Sequence, residues 1–211
     1  MSKERLPLPV LMLVTDRVVA GDAVALVIKV AEAVEGGVNV VQLRVRDLPH
    51  DELMSLARRL REVIGGRALL VVNSSPEVAL GARADGVHLP EDAPTPREWP
   101  HSLLIGRSVH SVAAAQRAEV DGADYVVFGP VYETESHAGA APAGLAALWE
   151  VADAISIPVV AIGGVTAERA RDVLAAGASG VAVIRAILAA DETKAAAEAL
   201  RSSLNTASAS R

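Results

Sequence analysis

Short β-branched runs alternate with Ala- and Leu-rich segments of helical periodicity along almost the whole chain, and this alternation restricts the fold more than any other feature. Strand-like runs fall at residues 11–15, 38–44, 68–73, 86–89, 103–108, 125–128, 158–162 and 181–184. Helical patterns fall between or after them, at 23–35, 51–64, 76–83, 95–99, 112–121, 145–154, 167–176 and 192–204. Gly36-Gly37 stops the first of these helices, and Pro76 sits at the start of the third, where its fixed φ suits a first helical turn. Repeated β-α alternation implies parallel strands with right-handed crossovers. Strands buried on both faces must be apolar throughout. The composition agrees, with 51% hydrophobic residues and only 2% aromatics, so the core is built from Ala, Val, Leu and Ile.

Eight such pairs predict a single-domain (β/α)8 barrel, a TIM barrel, over an open doubly wound sheet. A weak internal repeat points the same way. Gly36-Gly37-Val38-Asn39-Val40, Ala84-Asp85-Gly86-Val87-His88, Ala123-Asp124-Tyr125-Val126-Val127 and Ala178-Ser179-Gly180-Val181-Ala182 are similar helix-end, turn and strand units. Each precedes an even-numbered strand, as expected of a barrel made of similar quarters. The 211 residues are close to the lower end for such a barrel. The segment 205–211, Asn-Thr-Ala-Ser-Ala-Ser-Arg, is expected to be a disordered tail.

Several classes of function are disfavoured by charge and composition. A net charge of −6 without a basic run argues against nucleic acid. The absence of cysteine excludes disulfides and thiol catalysis. No apolar run reaches the length of about 18 residues that a membrane span requires, and the start Met1-Ser2-Lys3-Glu4-Arg5 lacks a signal-peptide core. The expectation is a soluble, cytoplasmic protein acting on a small molecule.

In a barrel of this type function collects where the strands end. Those ends carry Thr15-Asp16-Arg17, Gln42 to Arg46, Asn73-Ser74, His88 to Asp92, Arg107 to His110, Gly129 to Glu133, Gly163-Gly164 and Arg185. Adjacent glycines after the seventh strand let backbone amides approach an anion, and the loops after strands seven and eight commonly bind phosphate. Arginines 17, 44, 46, 107 and 185 are candidates to converge on one mouth, where guanidinium groups would suit phosphate or carboxylate. A lone strand-end arginine is more often a surface ion pair.

The histidines divide by position. His50 and His101 lie in links and read as solvated; His88 is either a core or a site residue, and His110 is placed to order its own loop. His137 lies in the longest loop, 131–144, where it can cover the mouth and exchange protons near neutral pH. No metal-ligand cluster stands out. Glu91 and Asp92 are the weak Mg²⁺ candidates, with a solvated acidic pair as the plainer reading.

Val41-Gln42-Leu43-Arg44, Ala84-Asp85-Gly86-Val87-His88-Leu89, Gly122-Ala123-Asp124-Tyr125-Val126 and Pro158-Val159-Val160-Ala161-Ile162-Gly163-Gly164 resemble, in this order and spacing, segments of the thiamine-phosphate synthase and TenI superfamily. The resemblance spans about residues 11–188 and implies a (β/α)8 barrel. It also implies one of two activities. Synthases join a thiazole phosphate to a pyrimidine pyrophosphate with Mg²⁺, and usually carry Asn-Asp after strand three and Gly-Gln-Glu/Asp-Asp after strand four. Here those places hold Asn73-Ser74 and Pro90-Glu91-Asp92. Where a synthase often carries a lysine after strand two, this chain has Arg46.

TenI-type tautomerases aromatise a thiazole carboxylate phosphate by proton transfer without a metal. His88-Leu89-Pro90, Ile105 to Ser111, and Phe128-Gly129 with Val131-Tyr132-Glu133-Thr134 are similar to their pattern, except that Pro130 stands where the family's catalytic histidine follows Phe-Gly. The resulting expectation is a thiazole tautomerase with no cofactor. His137 would shuttle protons and Glu133 would be the other proton carrier. Gly163, Gly164 and Arg185 would hold phosphate, Arg44 and Arg46 would orient the carboxylate, and Asn73 and Ser108 would give neutral hydrogen bonds. The first alternative is a synthase recruiting Mg²⁺ through Glu91 or Asp92. The second is a non-catalytic binding or regulatory protein for thiazole or thiamine phosphate. A homodimer is a family-level expectation.

Overall fold

The computed structural model describes residues 6–45, 47–94, 103–135, 139 and 141–209. In chain order the elements are β1 (Val10–Val14), α1 (Arg17–Ala20), α2 (Ala23–Glu35), β2 (Val40–Leu43), α3 (His50–Ile64), β3 (Leu69–Asn73), α4 (Pro76–Gly81), β4 (Gly86–Leu89), β5 (Leu104–Val109), α5 (Val112–Val120), β6 (Tyr125–Phe128), α6 (Gly144–Ala154), β7 (Val159–Ile162), α7 (Ala170–Ala175), β8 (Gly180–Val183), α8 (Arg185–Leu188) and α9 (Thr193–Ala209). The strands form a closed parallel barrel in sequence order, with β8 returning to β1. This is the expected (β/α)8 architecture.

Alternation along each strand separates two cores. Leu11 and Leu13, Val41 and Leu43, Leu70 and Val72, and Val126 and Phe128 face outward into the layer beneath the helices. Val10, Met12, Val14, Val40, Val71, Leu104, Tyr125, Val127, Val160 and Ala182 fill the barrel interior. Successive side chains point to opposite faces of a strand, so a residue's parity decides which core it joins.

The repeat seen in the sequence closes the bottom of the barrel. Asn39 donates its amide N–H to the Leu11 carbonyl (3.2 Å), while its Oδ1 accepts from the Leu11 amide (2.8 Å). Asp85 makes the same reciprocal pair with Leu70 (2.8 and 2.7 Å), and Asp124 makes it with Ile105 (2.7 and 2.7 Å). The fourth unit keeps only the backbone half, Ser179 N–H to Val159 O at 2.7 Å. Three odd-numbered strands are thus tied at their start to the even strand that follows.

The elements depart from the sequence reading in several places. The last helix continues through Ala209, so 205–209 form its final turns instead of a tail. A short helix, α8, follows β8 directly. The brief helix expected at 95–99 lies outside the described residues.

Candidate active site

Inward parity carries polar residues to the C-terminal ends of four strands: Gln42 after Val40, Asn73 after Val71, His88 after Gly86, and Ser108 after Gly106. They line a cavity of about 1000 Å³ at the barrel mouth. Arg44, two residues beyond Gln42, keeps the inward parity and also lines it. Its backbone is fixed by Thr15, whose hydroxyl accepts from the Arg44 amide at 2.9 Å.

Arg44 and Arg185 reach the cavity, but Arg17 and Arg107 do not line it. Arg107 has outward parity and is 4% exposed. Its guanidinium donates to the carbonyls of Pro90 (3.3 Å), Glu91 (3.0 Å) and Ala93 (2.6 Å), holding the loop after β4. Arg17 pairs with Asp47. Arg46 and His137 lie outside the described residues.

A guanidinium that the sequence reading missed takes up a place at the mouth. Arg169 precedes α7 and lines the cavity. It donates to the Gly164 carbonyl at 2.7 Å, and its Cζ lies 4.5 Å above the Tyr132 ring.

The turn after β7 is built on two adjacent glycines that line the cavity. Gly163 and Gly164 have φ of +99° and +63°, a region open to glycine with little steric cost. The loop after β6 packs onto them. A Cβ on Gly163 would lie 2.6 Å from Pro130 Cβ, and one on Gly164 would lie 2.4 Å from the Glu133 carbonyl oxygen. Beside this turn, after the neighbouring strand β8, Val183 to Ala186 line the cavity at the start of α8, where the amides of Arg185 and Ala186 have no acceptor within the helix. Arg185 Nε lies 3.1 Å from Glu135 Oε2. Gly164→Ala is expected to destabilise the fold by about 2–4 kcal/mol, through positive φ and the overlap with Glu133. A thermal melt superimposable on that of the wild type would contradict this.

The acidic candidates separate in the same way. Glu91 lines the cavity, and its Oε2 accepts from the His110 amide (2.8 Å) and faces His110 Nδ1 at 2.7 Å. Asp92 is exposed and not part of the wall. Glu133, Thr134 and Glu135 contribute to the wall from the loop after β6.

Beneath the mouth, His88 is 2% exposed. Its Nε2 is 2.9 Å from Ser108 Oγ, and its Nδ1 is 3.4 Å from Tyr125 Oη. Burial, aided by Arg107 and Arg44, lowers the imidazole pKa to about 3, so the ring is neutral.

A family model described as thiamine monophosphate synthase matches residues 11–187. The chain belongs to this family. Among its curated relatives, the thiamine-phosphate synthase of Methanoculleus marisnigri is 48% identical over 183 residues, covering 84% of this chain and 87% of that one. The thiamine-phosphate synthase of Pyrococcus horikoshii is 37% identical over 203 residues, covering 94% and 95%. A solved thiamine phosphate pyrophosphorylase from Pyrococcus furiosus superposes with a TM-score of 0.81 at 35% identity, covering 94% of this chain and 96% of that chain. Solved 3-hexulose-6-phosphate synthases, at 20% identity or less, share the fold alone.

These relatives overturn the tautomerase expectation, since the similar proteins carry synthase names. The proton-transfer roles given to His137 and Glu133 fall with it. The tautomerase expectation rests on the weight given to Ser74, Pro90 and Arg46, three departures in a chain that matches synthases over nearly its full length.

Proposed function

We propose that this chain is a thiamine-phosphate synthase, joining a thiazole phosphate to a pyrimidine diphosphate with release of pyrophosphate. The observation that carries the reading is the 48% identity to a protein of that name across 84% of the chain. The mouth has suitable chemistry for two phosphorylated substrates. Gly163, Gly164 and the start of α8 offer backbone donors for one phosphate, with Arg185 beside them. Arg44 and Arg169 offer charge for the other anionic group. Asn73, Gln42 and Ser108 supply neutral hydrogen bonds on the floor. In the reaction the thiazole nitrogen bonds to the pyrimidine's methylene carbon. The C–O bond to the diphosphate breaks, and its electron pair leaves with pyrophosphate.

The residues present fit a magnesium ion that takes most of its ligands from substrate. Mg²⁺ is commonly held by one or two carboxylates together with phosphate oxygens and water. Glu91 supplies a carboxylate on the wall, with Asn73 and Ser74 also lining the cavity. Among the described residues no group of three or more His, Asp or Glu forms an all-protein cage. Bound there, the ion would offset charge on the departing pyrophosphate.

The test is to incubate the purified chain with both substrates and Mg²⁺. Thiamine phosphate and pyrophosphate should appear in equal amounts, and EDTA should stop both. No thiamine phosphate under these conditions would sink the reading.

A further inference from the structure

Three side chains form a connected line from the packed interior of the barrel to the cavity. Tyr125 is fully buried and His88 is 2% exposed. Tyr125 Oη lies 3.4 Å from His88 Nδ1, and His88 Nε2 lies 2.9 Å from Ser108 Oγ. His88 and Ser108 both line the cavity. Gly106 makes the room for this line: a Cβ there would lie 2.3 Å from Tyr125 Oη and 2.6 Å from His88 Nδ1. The missing side chain at an inward position lets a tyrosine and a histidine meet where other layers carry valine or leucine.

Hydrogen-bond complementarity sets the direction of the line. A buried phenol keeps its proton and is a donor that needs an acceptor. Among the described residues, the acceptor within reach of the Tyr125 hydroxyl is His88 Nδ1. The neutral ring carries one proton, so accepting at Nδ1 places that proton on Nε2. Nε2–H then donates to Ser108 Oγ, whose own proton is left to point into the cavity. In the opposite tautomer Nδ1–H would donate to the phenol oxygen, and the tyrosine proton would be buried without a partner. That arrangement carries the full cost of an unsatisfied donor.

We propose that Tyr125 and His88 are positioning residues that fix the Ser108 hydroxyl as a hydrogen-bond donor toward an anionic oxygen of the bound substrate. A serine hydroxyl otherwise turns freely between donating and accepting. Held as a donor, it favours the oxygens of a phosphate or diphosphate and disfavours a ligand that presents an N–H at that point. This deepens the synthase reading and rests on it for the identity of the anion. The tautomer itself does not depend on that reading.

The experiment has two arms on the full chain. In the first, ¹⁵N NMR of histidine-labelled protein reads the His88 ring. The expected result is an unprotonated, pyridine-type Nδ1 and a protonated, pyrrole-type Nε2; the reverse pattern overturns the proposal without any variant having to fold. In the second, the affinity for inorganic pyrophosphate with Mg²⁺ is measured by calorimetry for wild type, Tyr125→Phe, Ser108→Ala and the double variant. Each single variant should weaken binding roughly tenfold, and the double should be no weaker than Ser108→Ala alone, because the tyrosine acts through the serine. Additive losses, or wild-type protein that does not bind pyrophosphate, would overturn it. A chain that shows the expected tautomer and coupling yet forms no thiamine phosphate would refute the proposed activity and leave this inference standing.

Discussion

Glu91→Gln is expected to lower Mg²⁺-dependent formation of thiamine phosphate by about 100-fold or more while leaving the barrel folded. The amide keeps an oxygen that can accept from the His110 amide, now made by Glu91 Oε2 at 2.8 Å, so the loop after β4 keeps its anchor. Arg107 also holds that loop through three carbonyls. The substitution removes only the negative charge, and a magnesium ion held with help from Glu91 would depend on that charge more than on shape. Half-maximal activity should therefore move to higher Mg²⁺. Asp92→Asn, exposed and away from the wall, should stay within about twofold of wild type. If Glu91 served only to hold His110, Glu91→Gln would remain active and His110→Ala would carry the loss. Steady-state rates across a Mg²⁺ titration separate the two.

The fold was legible because parallel-barrel strands must be apolar on both faces, which leaves a pattern that no surface element imitates. Even the function of the repeat is written in it, since Asn39, Asp85 and Asp124 carry the carbonyl or carboxylate oxygen that ties three of the four odd strands to their successors. The site was half legible. Reading strand ends as windows gathered Arg44 and Arg107 together, yet they differ in parity. Counting in steps of two from Val40 puts Arg44 inward, and counting from Leu104 puts Arg107 outward. The same count would have promoted Gln42 and His88. Arg169 was hidden for a different reason. The helical pattern starts at residue 167, but α7 begins at Ala170, and the turn before it lets Arg169 reach back to the Gly164 carbonyl.

Activity is less legible than fold, because a few exchanged side chains in the mouth, Ser74 foremost, point away from the synthases that the chain as a whole resembles. Ser74 does not supply a metal ligand of the strength of aspartate. A cation that draws most of its ligands from diphosphate and water nevertheless tolerates a sparse protein shell. Similarity along the whole chain weighs the entire cavity at once, including the floor and the glycine turn, and so is less sensitive to any single exchange.

Acidification is expected to destabilise the protein well before its carboxylates are fully protonated, and His88 is the cause. Buried against Ser108 and Tyr125 and facing the charges of Arg107 and Arg44, the ring has its pKa lowered from 6.5 to about 3. In the unfolded chain it takes up a proton near pH 6.5. Between those values the unfolded state binds more protons than the folded one, so unfolding becomes easier as pH falls. The slope approaches 1.36 kcal/mol per pH unit for one such group, and the whole window amounts to roughly 5 kcal/mol. That is a large share of the roughly 5–15 kcal/mol typical of a folded domain. Urea unfolding at intervals from pH 7 to 4.5, a range chosen to stay above most carboxylate titration, should show the decline in wild type. His88→Asn is polar but cannot titrate, and it should start less stable at pH 7 and lose about one proton's worth of that slope. Parallel curves for the two proteins would mean that His88 takes up its proton in the folded state over the same range as in the unfolded chain, and the neutral hydrogen-bonded line from Tyr125 to Ser108 would fail with it.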